Sequence, residues 1–131
     1  MSRRRRLSYL AQIQREHAQE VFRGDYHEFL RSCQMNVAVF VPQDPDHVLR
    51  CWELMQRTNQ LNLSARRYSP EVFDRLLHTE GVLCAAFHCA DRFGDYGIVG
   101  FASVEEGQEV ARLMDFVISC RVAQKRIEHA F

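Results

Sequence analysis

The chain has 131 residues, of which 47% are hydrophobic and 26% charged, a composition typical of one soluble globular domain. Its 17 basic and 17 acidic residues leave no net charge, so we expect neither nucleic acid nor a membrane surface as a partner. The five cysteines are an odd number without paired spacing, which favours a reducing cytoplasm over a secreted disulfide scaffold. No apolar run approaches the ~18 residues of a membrane-spanning helix.

The first 35 residues predict a linker helix followed by a docking turn. Residues 3–22 contain no Gly or Pro and are rich in residues that form helices well. Gly24 interrupts this pattern, and Asp25 is placed to cap a second, short helix. We therefore expect a linker segment over 1–35 and a second domain over 36–131.

The next stretch predicts one strand followed by two helices. Residues 37–41 are apolar and largely β-branched, which is typical of a strand. Either Asp44 or Asp46 is expected to cap the following helix, because a proline lies between them at a first-turn position. Ser69, also followed by proline, marks the start of another helix that ends near His78.

Three strand candidates occupy the second half of the chain, at 82–89, 98–104 and 110–119. A loop at 91–97 joins the first two, and Gly107 is expected to adopt a positive φ in the turn between the last two. Taken together, the elements predict an α+β fold with N-terminal helices, followed by a mostly antiparallel sheet of about four strands with flanking helices.

The end of the sequence predicts another helix, because apolar residues recur after the last strand candidate. They are Val122, Ala123, Ile127, Ala130 and Phe131. No glycine or asparagine stop signal follows them, so we expect the sequence to be a piece of a longer protein. An incomplete sheet would expose an open edge, through which the chain could pair with a second copy of itself.

Residues 58–68 form the densest polar cluster in the sequence. Three carboxamides and two guanidinium groups could clamp a polyhydroxylated or anionic ligand, because amides both donate and accept and guanidinium matches carboxylate or phosphate. The candidates for this role are Asn59, Asn62 and Arg67. The same side chains could instead satisfy backbone groups of a helix end and loop, and the sequence leaves both interpretations open.

Cys120 is the candidate nucleophile. It lies between a predicted strand and a predicted helix, where backbone N–H groups and the adjacent Arg121 favour thiolate over thiol. The alternative is an inert, packed thiol. Asp115 is a charge in an apolar strand and needs a partner such as an arginine or a helix N-terminus.

A metal site is not expected. Cys84 and Cys89 lie five residues apart on one predicted strand and therefore point to opposite faces, and His88 likewise opposes Cys89. Zinc-binding spacings such as CxxC are absent from the sequence. We therefore predict that these two cysteines are core thiols.

Three segments resemble, in order, the carboxy-terminal part of the FkbH-like proteins, also described as HAD-superfamily subfamily IIIC proteins. They are residues 58–68 (TNQLNLSARRY), 91–100 (DRFGDYGIVG) and 119–122 (SCRV) together with Asp115. The resemblance covers roughly residues 16–131. It implies a partial GNAT-like fold and the activity of that family, in which an activated phosphoglycerate becomes a glyceryl thioester on an acyl carrier protein that starts polyketide extender units.

The resemblance also implies roles for particular residues. Cys120 and Asp115 would be the catalytic residues: Cys120 would accept the acyl group and Asp115 would organise the site. The expected substrate-binding residues are Asn59, Asn62, Arg67, Arg92, Asp95 and Arg121. The implied partners are an acyl carrier protein and the HAD-type phosphatase domain of the parent chain.

The resemblance further bears on the carrier of the acyl group. GNAT folds carry RxxGxG/A at a strand-to-helix junction, and Gln124 and Arg126 stand here in place of its glycines. This disfavours CoA, so we expect no cofactor other than the phosphopantetheine arm of a carrier protein. The alternatives are a non-catalytic docking module and an N-acetyltransferase-like domain.

Overall fold

A computed structural model of the chain describes residues 3–127. Its fold is α+β, with four α-helices and a four-stranded antiparallel sheet of order β1-β2-β3-β4, which confirms the predicted fold class. A short 3₁₀ helix follows the last strand. The elements are α1 (Arg3–Val21), α2 (Tyr26–Ser32), β1 (Asn36–Phe40), α3 (Pro45–Arg57), α4 (Pro70–Leu77), β2 (Val82–Asp91), β3 (Gly94–Glu105), β4 (Arg112–Ile118) and the 3₁₀ helix (Cys120–Lys125).

The helices begin where the capping residues predict. The side chain of Asp25 accepts a hydrogen bond from the backbone N–H of Glu28, and the Glu28 carboxylate accepts one in return from Asp25. Asp44, rather than Asp46, caps α3, and Ser69 caps α4. Each cap satisfies a backbone donor that the first turn of a helix leaves unpaired.

Contacts divide the chain into two compact units. The first comprises the residues up to Val37 together with Cys89–Gly97, at the tip of the β2–β3 hairpin. The second comprises Ala38–His88 and the residues from Ile98 onward. In the first unit, Phe29 is 1% exposed. The other buried apolar residues of this unit include Ala11, Cys33 and Cys89.

Both hairpin turns differ from their predictions. The loop expected at 91–97 is a turn of two residues, because one Asp91 carboxylate oxygen accepts hydrogen bonds from the backbone N–H groups of Phe93 (2.9 Å) and Gly94 (3.3 Å). Gly107 has no positive φ. It is required instead for close approach, since a Cβ there would lie 2.2 Å from the carbonyl oxygen of Val110.

The core of the second unit lies between the sheet and helices α3 and α4. Phe101 and Phe73 are its largest side chains, with ring centroids 5.1 Å apart. The cluster consists of Cys51, Leu54, Met55, Phe73, Cys84, Ala86, Ile98, Phe101 and Val117. Within residues 3–127, no helix combines the length and the apolar character needed to cross a membrane.

Candidate active site

The junction after β4 is the first element of the site. β4 ends at Ile118, and the backbone N–H of Ser119 donates to the Val99 carbonyl at 2.7 Å. Cys120 then opens a 3₁₀ helix of six residues, Cys120–Lys125, and Arg126 follows it with a left-handed φ of 56°. Up to Ile127, the predicted helix is present as a short 3₁₀ helix rather than an α-helix, and a helix of this length contributes little dipole at the sulfur. The predicted helical positions Ala130 and Phe131 lie outside the described residues.

Cys120 is exposed, whereas the other four cysteines are buried. Burial is the main cause that raises the pKa of Cys51 to about 12 and that of Cys84 to about 11. Those thiols are protonated at neutral pH. Cys84 and Cys89 are 4% and 0% exposed, as the prediction of core thiols requires.

Cys120 lines a cavity of about 540 Å³, which we call the Cys120 cavity. The C-terminal half of α3, the start of the following loop and the β4 junction form its walls. Its polar lining includes Arg50, Glu53, Arg57, Asn59, Cys120 and Arg121. A space of this size accommodates a small acyl group together with part of its carrier. The structure therefore brings together three of the predicted site residues.

Three charged lining residues on α3 were not predicted. Arg50 and Arg57 lie on either side of Glu53, with nitrogen–oxygen distances of 3.5 and 3.9 Å to its carboxylate. Arg50 Nε also donates to the Ile98 carbonyl at 3.4 Å. With Arg121, the cavity has three positive charges against one negative charge. The spacing 50, 53, 57 places these polar residues on one helix face and could have identified them from the sequence.

Within the polar loop, the side chains satisfy one another and the backbone. Arg67 Nη2 donates to Asn59 Oδ1 at 2.6 Å and to the Thr58 carbonyl at 3.3 Å. Asn62 Nδ2 donates to the same carbonyl at 3.3 Å, and Asn62 Oδ1 accepts from the backbone N–H of Ala65 at 3.1 Å. Asn62 and Arg67 therefore shape the loop, while Asn59 lines the Cys120 cavity.

The loop also pairs with the outer edge of β4. The Leu63 N–H donates to the Phe116 carbonyl at 2.9 Å, and the Ile118 N–H donates to the Leu61 carbonyl at 3.0 Å. This antiparallel bridge pairs Asn62 with Val117 and fixes the loop beside the end of β4. It also occupies part of the sheet edge through which we expected a second copy of the chain to bind.

Asp115 is fully buried and is bound by three hydroxyl groups. Ser64 donates to its Oδ1 at 2.6 Å, and Tyr68 and Ser103 donate to its Oδ2 at 2.8 and 2.7 Å. These partners differ from the arginine or helix N-terminus expected from the sequence. Two of the donors belong to the polar loop and one to β3, so Asp115 ties the loop to the sheet and lies outside the Cys120 cavity.

The remaining predicted residues, Arg92 and Asp95, lie in the first compact unit. The Arg92 guanidinium carbon lies 4.6 Å from the centroid of the Phe93 ring, a cation–π contact. Asp95 Oδ1 accepts from the Gly97 N–H at 2.7 Å. Neither residue lines the Cys120 cavity, which belongs to the second unit.

A larger apolar groove, of about 620 Å³, lies between the N-terminal half of α3 and α4. Trp52 and Phe73 form part of its wall, and Asp74 and His78 lie at its edge. We call it the Trp52 groove. Trp52 Nε1 donates to the Tyr68 carbonyl at 2.8 Å, so its indole is held in place from the loop side.

Comparisons of the chain with protein-family models, with curated protein sequences and with solved structures gave no match. Among the side chains of residues 3–127 that the structure describes, no group of three or more histidine, cysteine, aspartate or glutamate residues could hold a metal ion. The functional assignment must therefore be argued from the Cys120 cavity and from the resemblance in the sequence.

Proposed function

We propose that this chain is the GNAT-like portion of an FkbH-like protein and transfers a glyceryl-type acyl group through Cys120 to an acyl carrier protein. The observation that carries the proposal is that one cysteine is exposed in a cavity with amide and guanidinium groups, while the other four are buried. The resemblance of three ordered motifs supplies the substrate class.

The proposed reaction has two transfers at one carbonyl carbon. The Cys120 thiolate attacks the acyl carbon of an acyl phosphate or thioester, the bond to the phosphate or thiolate breaks, and an acyl thioester on Cys120 results. Attack by the thiol of the carrier then releases the Cys120 thiolate. Over the two steps, the proton of the carrier thiol ends on the phosphate or thiolate that left in the first step, and nothing is oxidised or reduced.

Asn59 and Arg121 are the groups suited to bind the substrate in this scheme. The Asn59 side-chain oxygen already accepts from Arg67, which orients its amide nitrogen as the remaining donor. Donors of this kind stabilise the oxyanion that develops during attack on a carbonyl. Asp115 acts as a positioning residue, because it holds the loop that carries Asn59.

A carrier protein suits the junction better than CoA does. In GNAT folds, two glycines let backbone amides approach the CoA pyrophosphate, and Gln124 and Arg126 stand at those positions here. The left-handed backbone at Arg126 ends the 3₁₀ helix at that point. We therefore propose the phosphopantetheine arm of a carrier as the source and acceptor of acyl groups, with the HAD-type phosphatase domain as the second partner.

Intact-protein mass spectrometry tests the proposal. The chain is incubated with a glyceryl thioester of pantetheine, and we expect one acyl adduct that is lost in Cys120→Ala. The control is Val110→Ala, because Val110 is 78% exposed and lies outside the cavity. No adduct on the unmodified sequence, or an adduct that persists in Cys120→Ala, would contradict the proposal.

A second candidate is a non-catalytic module that docks a carrier protein, and the Trp52 groove favours it. Trp52 is the single tryptophan of the chain, so its fluorescence reports on this groove without labelling. A change in Trp52 emission on addition of carrier, combined with no adduct on Cys120, would favour docking. Binding of acetyl-CoA by calorimetry would instead favour an N-acetyltransferase.

A further inference from the structure

The walls of the Cys120 cavity carry three arginines and one glutamate. Arg50 and Arg57 share the single carboxylate of Glu53, and Arg121 adds a third guanidinium from the junction. The side chains of Arg50 and Glu53 are each 30% exposed, whereas that of Arg57 is 76% exposed. The cluster therefore extends from the inner wall of the cavity to its solvent side.

This arrangement favours an anion with several acceptor oxygens. Glu53 lies 3.5 and 3.9 Å from its two partners, distances of ion pairs rather than of close bidentate hydrogen bonds. The guanidinium donors thus keep capacity for a further anion. Arginine matches phosphate through paired N–H groups, and the Arg50 Nε contact with the Ile98 carbonyl holds its plane in place.

We infer that Arg50 and Arg57, with Arg121, form a subsite for a phosphate group beside Cys120. The inference rests on the proposed function for the source of that phosphate. The group belongs either to the phosphopantetheine arm of a carrier or to a phosphorylated three-carbon acyl donor. In both cases the subsite holds the ligand by its phosphate.

The rate at which charged reagents modify Cys120 measures this subsite directly. Methanethiosulfonates that carry an ethylsulfonate or an ethyltrimethylammonium group form a disulfide with Cys120 and release methanesulfinate. The other four thiols are buried, so the reaction reports on one sulfur. We expect the anionic reagent to react faster than the cationic one, relative to the same pair on free N-acetylcysteine.

The double variant Arg50→Gln/Arg57→Gln should lower this anionic-to-cationic rate ratio by about tenfold, since two nearby charges are removed at short range. The matched control is Arg75→Gln/Arg112→Gln. It also removes two arginines, one of them ion-paired with a glutamate, but both lie outside the cavity. The ratio should approach the free-thiol value at high salt. An unchanged ratio in the first double variant would overturn the inference.

Equilibrium binding identifies the source of the phosphate. With Cys120→Ser, which cannot form disulfides at that position, 4′-phosphopantetheine is compared with pantetheine, and 3-phosphoglycerate with glycerate. We expect one phosphorylated member of these pairs to bind about tenfold more tightly than its partner, and this advantage to disappear in the Arg50→Gln/Arg57→Gln background. If neither phosphate improves binding, the subsite is refuted.

The two proposals fail separately. If the rate ratio depends on Arg50 and Arg57 but no acyl adduct forms on Cys120, the phosphate subsite is supported and the acyl transfer is refuted. If the acyl adduct forms but the anionic-to-cationic rate ratio does not depend on Arg50 and Arg57, the acyl transfer is supported and the phosphate subsite is refuted.

Discussion

Two buried charged side chains, Asp115 in the second compact unit and Arg15 in the first, have opposite surroundings. In the second unit, Asp115 is 0% exposed and accepts three hydroxyl hydrogen bonds. In the first unit, Arg15 is 5% exposed, and its guanidinium carbon lies 5.4 Å from the Phe29 ring centroid. Its Nε and Nη2 have no hydrogen-bond partner among the residues that the structure describes.

The contrast teaches that burial of a charge does not by itself indicate function. Hydrogen bonds to a charged group contribute roughly 1.5–3 kcal/mol each, so the hydroxyls around Asp115 offset much of its desolvation. The stacking contact of Arg15 replaces little of the water it loses. Asp115 therefore stabilises the contact between the loop and the sheet, whereas the buried charge of Arg15 destabilises the first unit.

The largest effect is expected for Asp115→Ala. The substitution leaves the hydroxyls of Ser64, Tyr68 and Ser103 without their acceptor, and Ser103 is fully buried. We expect the free energy of unfolding to fall by about 3–5 kcal/mol, measured by urea unfolding at pH 7. Asp74→Ala is the control, since its side chain is 69% exposed and its loss should cost less than about 0.5 kcal/mol. A decrease of less than about 1 kcal/mol in the free energy of unfolding of Asp115→Ala would contradict the stabilising role of Asp115.

Alkaline pH should test the two buried thiols in the core of the second unit. Burial raises the pKa of Cys51 from 9.0 to about 12 and is the main cause that raises that of Cys84 to about 11. Below pH 9 both thiols are protonated in the folded and unfolded states. As the pH rises above 9, the unfolded state loses these protons first, so stability must fall.

We expect this fall to be steeper than roughly 1 kcal/mol per pH unit between pH 9 and 11. Urea unfolding at a series of pH values measures it, and Cys84→Ala should make the slope shallower. Cys120→Ala is the control, because that thiol is exposed. Stability that stays constant over this range would mean that the thiols ionise as readily in the folded chain as in the unfolded one.

Arg15→Met tests whether the buried charge of Arg15 destabilises the first unit. Methionine keeps the long aliphatic stem against Phe29 and removes a charge whose nitrogens are incompletely bonded. We expect the free energy of unfolding to rise by about 1 kcal/mol. Arg23→Met, at an exposed position of the same unit, should change little. A clear loss of stability in Arg15→Met would show that the guanidinium is better compensated than its contacts suggest.

The sequence predicted those parts of the fold that depend on neighbouring residues. The caps at Asp25, Asp44 and Ser69 each act on backbone groups two or three residues away, so residue type and spacing suffice. The strands followed from apolar runs of the right length. Their ends shifted at the hairpin near Asp91, where a side-chain hydrogen bond tightens the turn.

The candidate site was harder to predict because its geometry depends on distant pairs. Asp115 meets Ser64 and Tyr68 across 51 and 47 residues, and no periodic pattern encodes such contacts. The exposure of Cys120 likewise depends on how the loop pairs with β4. The arginines of α3 were visible as a polar stripe, but their proximity to the sulfur became apparent only in the folded chain.

The smallest effect is expected at the sulfur itself. Because Cys120 is exposed, Cys120→Ser should change the free energy of unfolding by less than about 0.5 kcal/mol. Cys51→Ser, which places a hydroxyl at a site that is 0% exposed, should cost about 2 kcal/mol in the same urea experiment. Replacement of an exposed nucleophile should leave the stability of the fold unchanged, whereas replacement of a packed thiol should lower it. Equal costs for the two substitutions would place Cys120 among the packed thiols and remove the structural basis for its proposed reaction.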